Sequence, residues 1–246
     1  MCIRDRANSF SSDMAFYDRV EVLRGAAGML KGSGSSAGGV NFVRKRPQDK
    51  ATTNLSLSAG SWDNYRGQID VGGPLNESGT VRGRAVATLQ DRNYFYDNAK
   101  RQDQVLYGAL DWDITPDTTL GGGLAYEDVD ATPCYHGLPR YADGSDLKLS
   151  RSTCLGAGWN DLQSHRITGF ADLKHRFNED WSLNFASVYT RNQQGIEYGY
   201  AEGAVAVGAT SGAMARYAGR FDYDQTDYGF DTYLDGKFEA FGLEHE

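Results

Sequence analysis

Apolar and polar residues alternate with a period of two along about eight segments of this 246-residue chain. That period excludes helices as the main element, because only an extended strand sends successive side chains to opposite faces. In 81–89, Val81, Gly83, Ala85, Ala87 and Leu89 share one face, and Arg82, Arg84, Thr88 and Gln90 lie mainly on the other. In 104–114, Leu106, Leu110, Trp112 and Ile114 oppose Tyr107, Asp111 and Asp113. The same rhythm runs through 165–177 (Ile167, Ala171, Leu173, Phe177 against Arg166, Thr168, Asp172, Lys174, Arg176), 181–191 and 228–240, with shorter versions at 53–59, 65–72 and 120–128. The fold class is therefore all-β.

A soluble sandwich also alternates, so the connections must decide between it and a membrane barrel. The links Pro74–Thr80, Thr115–Thr119 and Asn178–Asp180 are brief and carry turn residues, whereas 91–103, 129–163 and 192–226 are long. Brief and long links take turns, so an up-and-down meander places all brief ones at one end and all long ones at the other, as in an outer-membrane barrel. Loops this long are uncommon in a compact soluble domain. The mean hydropathy of −0.56 does not count against a barrel, because alternating strands average out as hydrophilic. No run approaches the length of a membrane-spanning helix. The net charge of −8 excludes nucleic acid as a natural partner, since phosphate binding needs a basic surface.

Ahead of the strands lies DRVEVLRGAAGMLKGSGSSAGGVNFVRKRP, residues 18–47. Its two apolar runs flank a turn dense in glycine, where backbone can bend tightly and lie against other backbone. It is not a phosphate loop, because Lys31 precedes Gly32 and Ser33 and no helix pattern comes after them. The Gly28-to-Gly32 spacing lacks the apolar surroundings of a membrane-helix dimer motif. Arg44-Lys45-Arg46 reads as a solvated charge cluster. The segment resembles the end of the plug domain of TonB-dependent outer-membrane receptors, and the strands beyond residue 48 resemble the start of their barrel. Two later stretches, YHGLPRYADGSDLKLSRSTCLGAGWN (135–160) and YAGRFDYDQTDYGFD (217–231), resemble ferric-siderophore receptors of the coprogen and pyoverdine type.

The resemblance implies a partial transmembrane antiparallel β-barrel, about the first eight of 22 strands, preceded by the C-terminal part of a plug. A barrel closed from eight strands alone has no room for the glycine-rich segment, whereas a 22-stranded one has a plugged lumen. The expected division is residues 1–6 as a non-native leader, 7–48 as plug and 49–246 as barrel; the chain is expected to be a fragment. The implied function is uptake of ferric siderophores from the bacterial outer membrane into the periplasm. Energy would come from the TonB–ExbB–ExbD complex through an N-terminal TonB box missing from this stretch. Outer-membrane lipid and a ferric siderophore are the further partners, the receptor acts as a monomer, and iron is cargo with no cofactor. Alternatives are a receptor of the same fold for haem, cobalamin or a glycan, or a non-functional gene fragment.

Arg24, after Glu21-Val22-Leu23, occupies the position of the family's arginine that latches the plug to acidic groups of the barrel; Gly25 and Gly28 serve turn geometry. Cys134 and Cys154 share the longest connection, and a disulfide is favoured over two unrelated thiols because Cys2 falls in the doubtful leader. Their spacing is no zinc pattern. The four histidines are scattered, and no nucleophile–base arrangement is recognisable, so no catalytic or metal site is expected and the chain is not an enzyme. What remains is recognition by the aromatic residues of the long links. Tyr94, Tyr96, Tyr135, Trp159, Tyr198 and Tyr200 are the candidate ligand contacts, since such rings offer stiff apolar area with a polar handle. Trp181 and Tyr189, on the apolar face, suit the girdle that anchors a barrel in lipid.

Overall fold

The computed structural model describes residues 13–25, 38–135, 137–209, 212, 214–240 and 243–245. A single 3-10 turn, Met14–Phe16, leads into β1 (Tyr17–Arg24), which pairs antiparallel with β2 (Gly38–Arg44) as a separate two-stranded sheet. Two glycines frame this hairpin. Gly25 leaves β1 at φ +90°, and Gly38 enters β2 at φ +139° against the carbonyl oxygen of Leu23, so close that a Cβ there would overlap it.

Eight strands then form one sheet in which each pairs antiparallel with its successor in the chain. They are β3 (Thr52–Gly60), β4 (Asn64–Pro74), β5 (Val81–Asn93), β6 (Lys100–Thr115), β7 (Thr118–Thr132), β8 (Asp161–Arg176), β9 (Trp181–Glu202) and β10 (Ala215–Gly236). A short hairpin, β11 (Phe238–Ala240) with β12 (Leu243–His245), comes last. The expected meander is present, but two boundaries differ. β9 and β10 run 22 residues each, so most of the link expected at 192–226 is strand. Residues 191–195, Arg-Asn-Gln-Gln-Gly, are polar on both faces, so the apolar rhythm stops while backbone pairing continues. At the other end β10 stops at Gly236, opposite Trp181 where β9 begins, and Phe238 pairs within the last hairpin instead.

Register sorts the side chains into two walls. One carries Leu55, Leu57, Ile69, Leu89, Leu106, Leu110, Leu124, Phe230 and Leu234, all exposed, with Leu57 at 77% and Phe230 at 74%. The opposite wall faces the hairpin and is buried and mixed: Val86, Val105, Tyr107, Ala109 and Ala125 stand beside Asp70, Thr88, Asp103, Asp111 and Glu127. Apolar outside and polar inside inverts a water-soluble protein and matches a barrel in lipid. Along β6 the apolar band runs from Leu106 to Ile114, roughly 20 Å of height for a tilted strand. Tyr189 and Tyr228, paired across β9 and β10 with ring centroids 5.3 Å apart, sit on this outer wall.

Candidate functional site

The long connections all leave the same end of the sheet, and they are stitched together. A disulfide joins Cys134 to Cys154, Cα atoms 6.1 Å apart, inside the 133–160 connection. Asn160, 3% exposed, donates to the Pro133 carbonyl (3.0 Å) and accepts from the Gly199 amide (2.6 Å), while Ala157 N–H reaches the Gly199 carbonyl (2.9 Å). The same loop bonds the 94–99 connection through Asp97 N–H to the Ser152 carbonyl (2.7 Å), with the Arg151 guanidinium 4.9 Å from the Phe95 ring. It meets the 203–214 connection where Val205 N–H donates to the Arg140 carbonyl at 3.0 Å.

Below this cover the inner wall carries a row of rings. Tyr198 and Tyr200 in β9 stack at 6.0 Å, Tyr200 on Tyr217 at 5.4 Å, Tyr198 on Phe221 at 5.8 Å and Phe221 on Tyr223 at 6.2 Å. Tyr135 meets Tyr198 edge-on at 5.5 Å. Register explains the row: Tyr217 lies opposite Tyr200, and Gly219, opposite Tyr198, leaves room for the phenol ring to lie across β10. Burial, with a smaller push from Tyr198, raises the Tyr135 phenol above its usual pKa, so it stays neutral. Stacked rings in such a row make a continuous amphipathic surface suited to a flat or peptidic ligand.

Of the six ring residues expected from sequence, Tyr135, Tyr198 and Tyr200 come together here. Tyr94 and Tyr96 stack on each other at 5.2 Å in the 94–99 connection, where Arg92 lies 5.1 Å from the Tyr94 ring. Trp159 is not brought to the row; it packs over Gly199, on the outer side of β9. Phe221 and Tyr223 are not among the residues expected from sequence, although they lie in the same expected link, 192–226, as Tyr198 and Tyr200. Their every-other spacing with Tyr217 and Gly219 is the signal that marks them.

The second constellation anchors the hairpin to the inner wall. Phe16, fully buried, lies 5.3 Å from the Tyr107 ring among Val86, Val105, Ala109 and Phe170. Tyr107 donates its hydroxyl to the Lys45 carbonyl (2.6 Å), and Lys45 N–H bonds the Phe16 carbonyl (2.8 Å). Lys45 Nζ reaches Asp70 at 2.8 Å, and Arg84 clasps the same carboxylate through two bonds of 2.8 Å. Arg44 and Arg46 both bind Asp172, and the Arg44 guanidinium lies 5.1 Å from the Phe170 ring. Arg66 binds Asp13 at 2.8 Å. Burial of Asp13 favours its protonated form, but the Arg66 and Ala15 N–H hydrogen bonds outweigh that and hold its carboxyl below the usual range.

These contacts correct the view of Arg44-Lys45-Arg46 as a solvated cluster. Arg44 and Lys45 are largely buried, each against a carboxylate of the sheet, because β2 delivers them onto the inner wall. Arg24 instead ends β1 exposed, and among the described residues it forms no ion pair. Gly28 and the expected leader, 1–6, lie outside the described residues.

No family model matches the chain. Among curated proteins it is 68% identical over 241 residues to the ferric-pyoverdine M114 receptor PbuA of Pseudomonas sp. (strain M114), matching 98% of this chain and 29% of that protein. It is 39% identical to the ferripyoverdine receptor of Pseudomonas aeruginosa over 98% of its own length and 30% of the relative's. Among solved structures it superposes on the pyoverdine outer-membrane receptor FpvA from Pseudomonas aeruginosa PAO1, bound to pyoverdine, with a TM-score of 0.87 and 39% identity, covering 95% of this chain and 34% of that one. The chain thus spans about a third or less of the relatives it matches. With its lipid-facing meander and its inner hairpin it belongs to the TonB-dependent outer-membrane siderophore receptors.

Proposed function

We propose that this chain forms the end of the plug (7–48) and the first part of the barrel wall (49–246) of a receptor that imports a ferric siderophore of the pyoverdine class. The observation that carries this reading is the inward ring row Tyr198–Tyr200–Tyr217–Phe221–Tyr223 under a disulfide-closed loop. The 68% identity to a ferric-pyoverdine receptor supports the choice of cargo. The siderophore carries the ferric ion, so the protein recognises an organic shell and need not ligate metal. The rings hold that shell at the outer mouth, and the disulfide limits how far the 133–160 loop opens. The hairpin blocks the way below, so passage requires work on the plug, which TonB–ExbB–ExbD supplies from the periplasmic side. The receptor acts as a monomer.

The test is uptake of radiolabelled ferric pyoverdine by cells whose sole receptor is the full-length protein. Tyr198→Ala with Tyr200→Ala removes two stacked bases of the platform. At about 1–3 kcal/mol for each lost aromatic contact, the apparent affinity falls at least tenfold. Haem, cobalamin or glycan uptake with no response to pyoverdine would instead support a different cargo on the same fold.

A further inference from the structure

We propose that the outward wall holds a phospholipid of the periplasmic leaflet at a fixed site between β4 and β7. The inference rests on the membrane placement above and is independent of the cargo. A groove of about 770 Å³ opens on this wall near the short-turn end. Its floor is Ala85, Gly108 and Gly122, and its rim is Leu75, Leu110 and Leu124. Register puts the floor on the outer face: Ala85 lies opposite Gly108, and Leu110 opposite Gly122. Leu75 folds back from the turn over Gly83, where a Cβ would come within 2.9 Å of its Cδ1 atom.

The groove is a vacancy that the chain itself does not fill. A Cβ on Gly108 would meet nothing within 4 Å, and one on Gly122 would meet only the Phe170 carbonyl oxygen, at 3.5 Å. Protein surfaces in contact with hydrocarbon are packed by it, since an empty groove forfeits dispersion contacts along its whole length. The groove continues the apolar belt of Leu55, Leu57, Leu106 and Leu89, so its neighbour is the bilayer. It has no charge of its own: Arg84, which borders it, turns its guanidinium inward to Asp70. An acyl chain therefore fits, and a charged peptide does not. The groove closes at the Leu75 turn, on the periplasmic side, where this membrane's lipids are phospholipids. Lys50 is exposed and next in the chain to the groove residue Ala51, and the proposal assigns it to the lipid headgroup.

The experiment is native mass spectrometry of the full-length receptor purified in mild detergent and offered phosphatidylethanolamine. Wild type is expected to retain one phospholipid after dilution has stripped the loosely associated ones. Gly108→Leu puts a side chain on the floor of the groove, where an acyl chain would lie, and Ala59→Leu places a similar side chain on the outer wall elsewhere. Excluding even two methylenes from burial costs about tenfold in retention, so Gly108→Leu should lose the lipid while Ala59→Leu keeps it. Lys50→Glu leaves the groove intact and should also weaken retention. Circular dichroism melts of all variants confirm that the barrel is folded, and unchanged ferric-pyoverdine uptake separates this site from the mouth. Equal retention by wild type, Gly108→Leu and Lys50→Glu would overturn the proposal. So would no retained lipid in wild type, or lipopolysaccharide or a polypeptide held in its place.

Discussion

Phe16 and the carboxylates of the inner wall decide whether the hairpin stays docked. Phe16 is fully buried among the side chains of β5, β6 and β8. Phe16→Ala should therefore weaken docking by about 3–5 kcal/mol through lost burial and the cavity left behind. Asp70 neutralises both Lys45 and Arg84, so Asp70→Asn strands two buried cations and should cost a similar ~3–5 kcal/mol. Both losses are read from the thermal midpoint of plug release in the full-length receptor. Asp13 gives this anchor a pH dependence. Its folded carboxyl is held below its ordinary pKa. Its contribution is thus complete above the ordinary carboxylate range, near pH ~4, and fades as pH falls through the lowered value. Plug release should become easier on acidification, and Asp13→Asn should shrink that limb; an identical acid limb in wild type and variant would refute the assignment.

Among the elements, the 133–160 connection and the ends of β9 and β10 build the mouth. Opening the disulfide with Cys134→Ser and Cys154→Ser should loosen the loop by around 3 kcal/mol, given its span of about 20 residues. Protease should then cut within 137–153 while β7 and β8 remain paired; a loop as resistant as wild type would show that Asn160 and Arg140 hold it alone. The strands themselves are legible in the sequence because lipid imposes strict alternation: all eight pair in chain order, in keeping with the rhythm of Leu106–Ile114 and Trp181–Tyr189. Their outer ends are not legible. Beyond the lipid neither face needs to be apolar, so Arg191–Gly195 carries no periodic signal though its backbone is paired. That loss hides the register that puts Phe221 and Tyr223 on the same face as Tyr198 and Tyr200. The anchor is illegible for another reason. Nothing local in Arg44-Lys45-Arg46 marks its partners, because Asp70 and Asp172 are 25 and 128 positions away from Lys45 and Arg44.

Over the whole molecule, the two walls keep lipid contact apart from the ring row and the hairpin anchor. The outer wall meets lipid; the inner wall carries rings on β9 and β10, and on β4, β5 and β8 the paired charges that hold the hairpin. On the proposed reading, a ligand caught by the rings cannot pass while Arg44, Lys45, Arg46 and Phe16 hold the hairpin against the wall, and its import would require an external source of work. The ring row stands on β9 and β10 and the anchor partners on β4 to β8, so mutations in them should act separately: ring variants on binding, anchor variants on plug retention. Direct binding of ferric pyoverdine to the purified full-length receptor, monitored by quenching of its intrinsic fluorescence, tests the central claim most directly. The expected result is saturable binding that weakens at least tenfold in Tyr198→Ala/Tyr200→Ala and persists in Asp70→Asn. Absence of binding by a folded wild-type receptor, or equal affinity with and without the two rings, would contradict it.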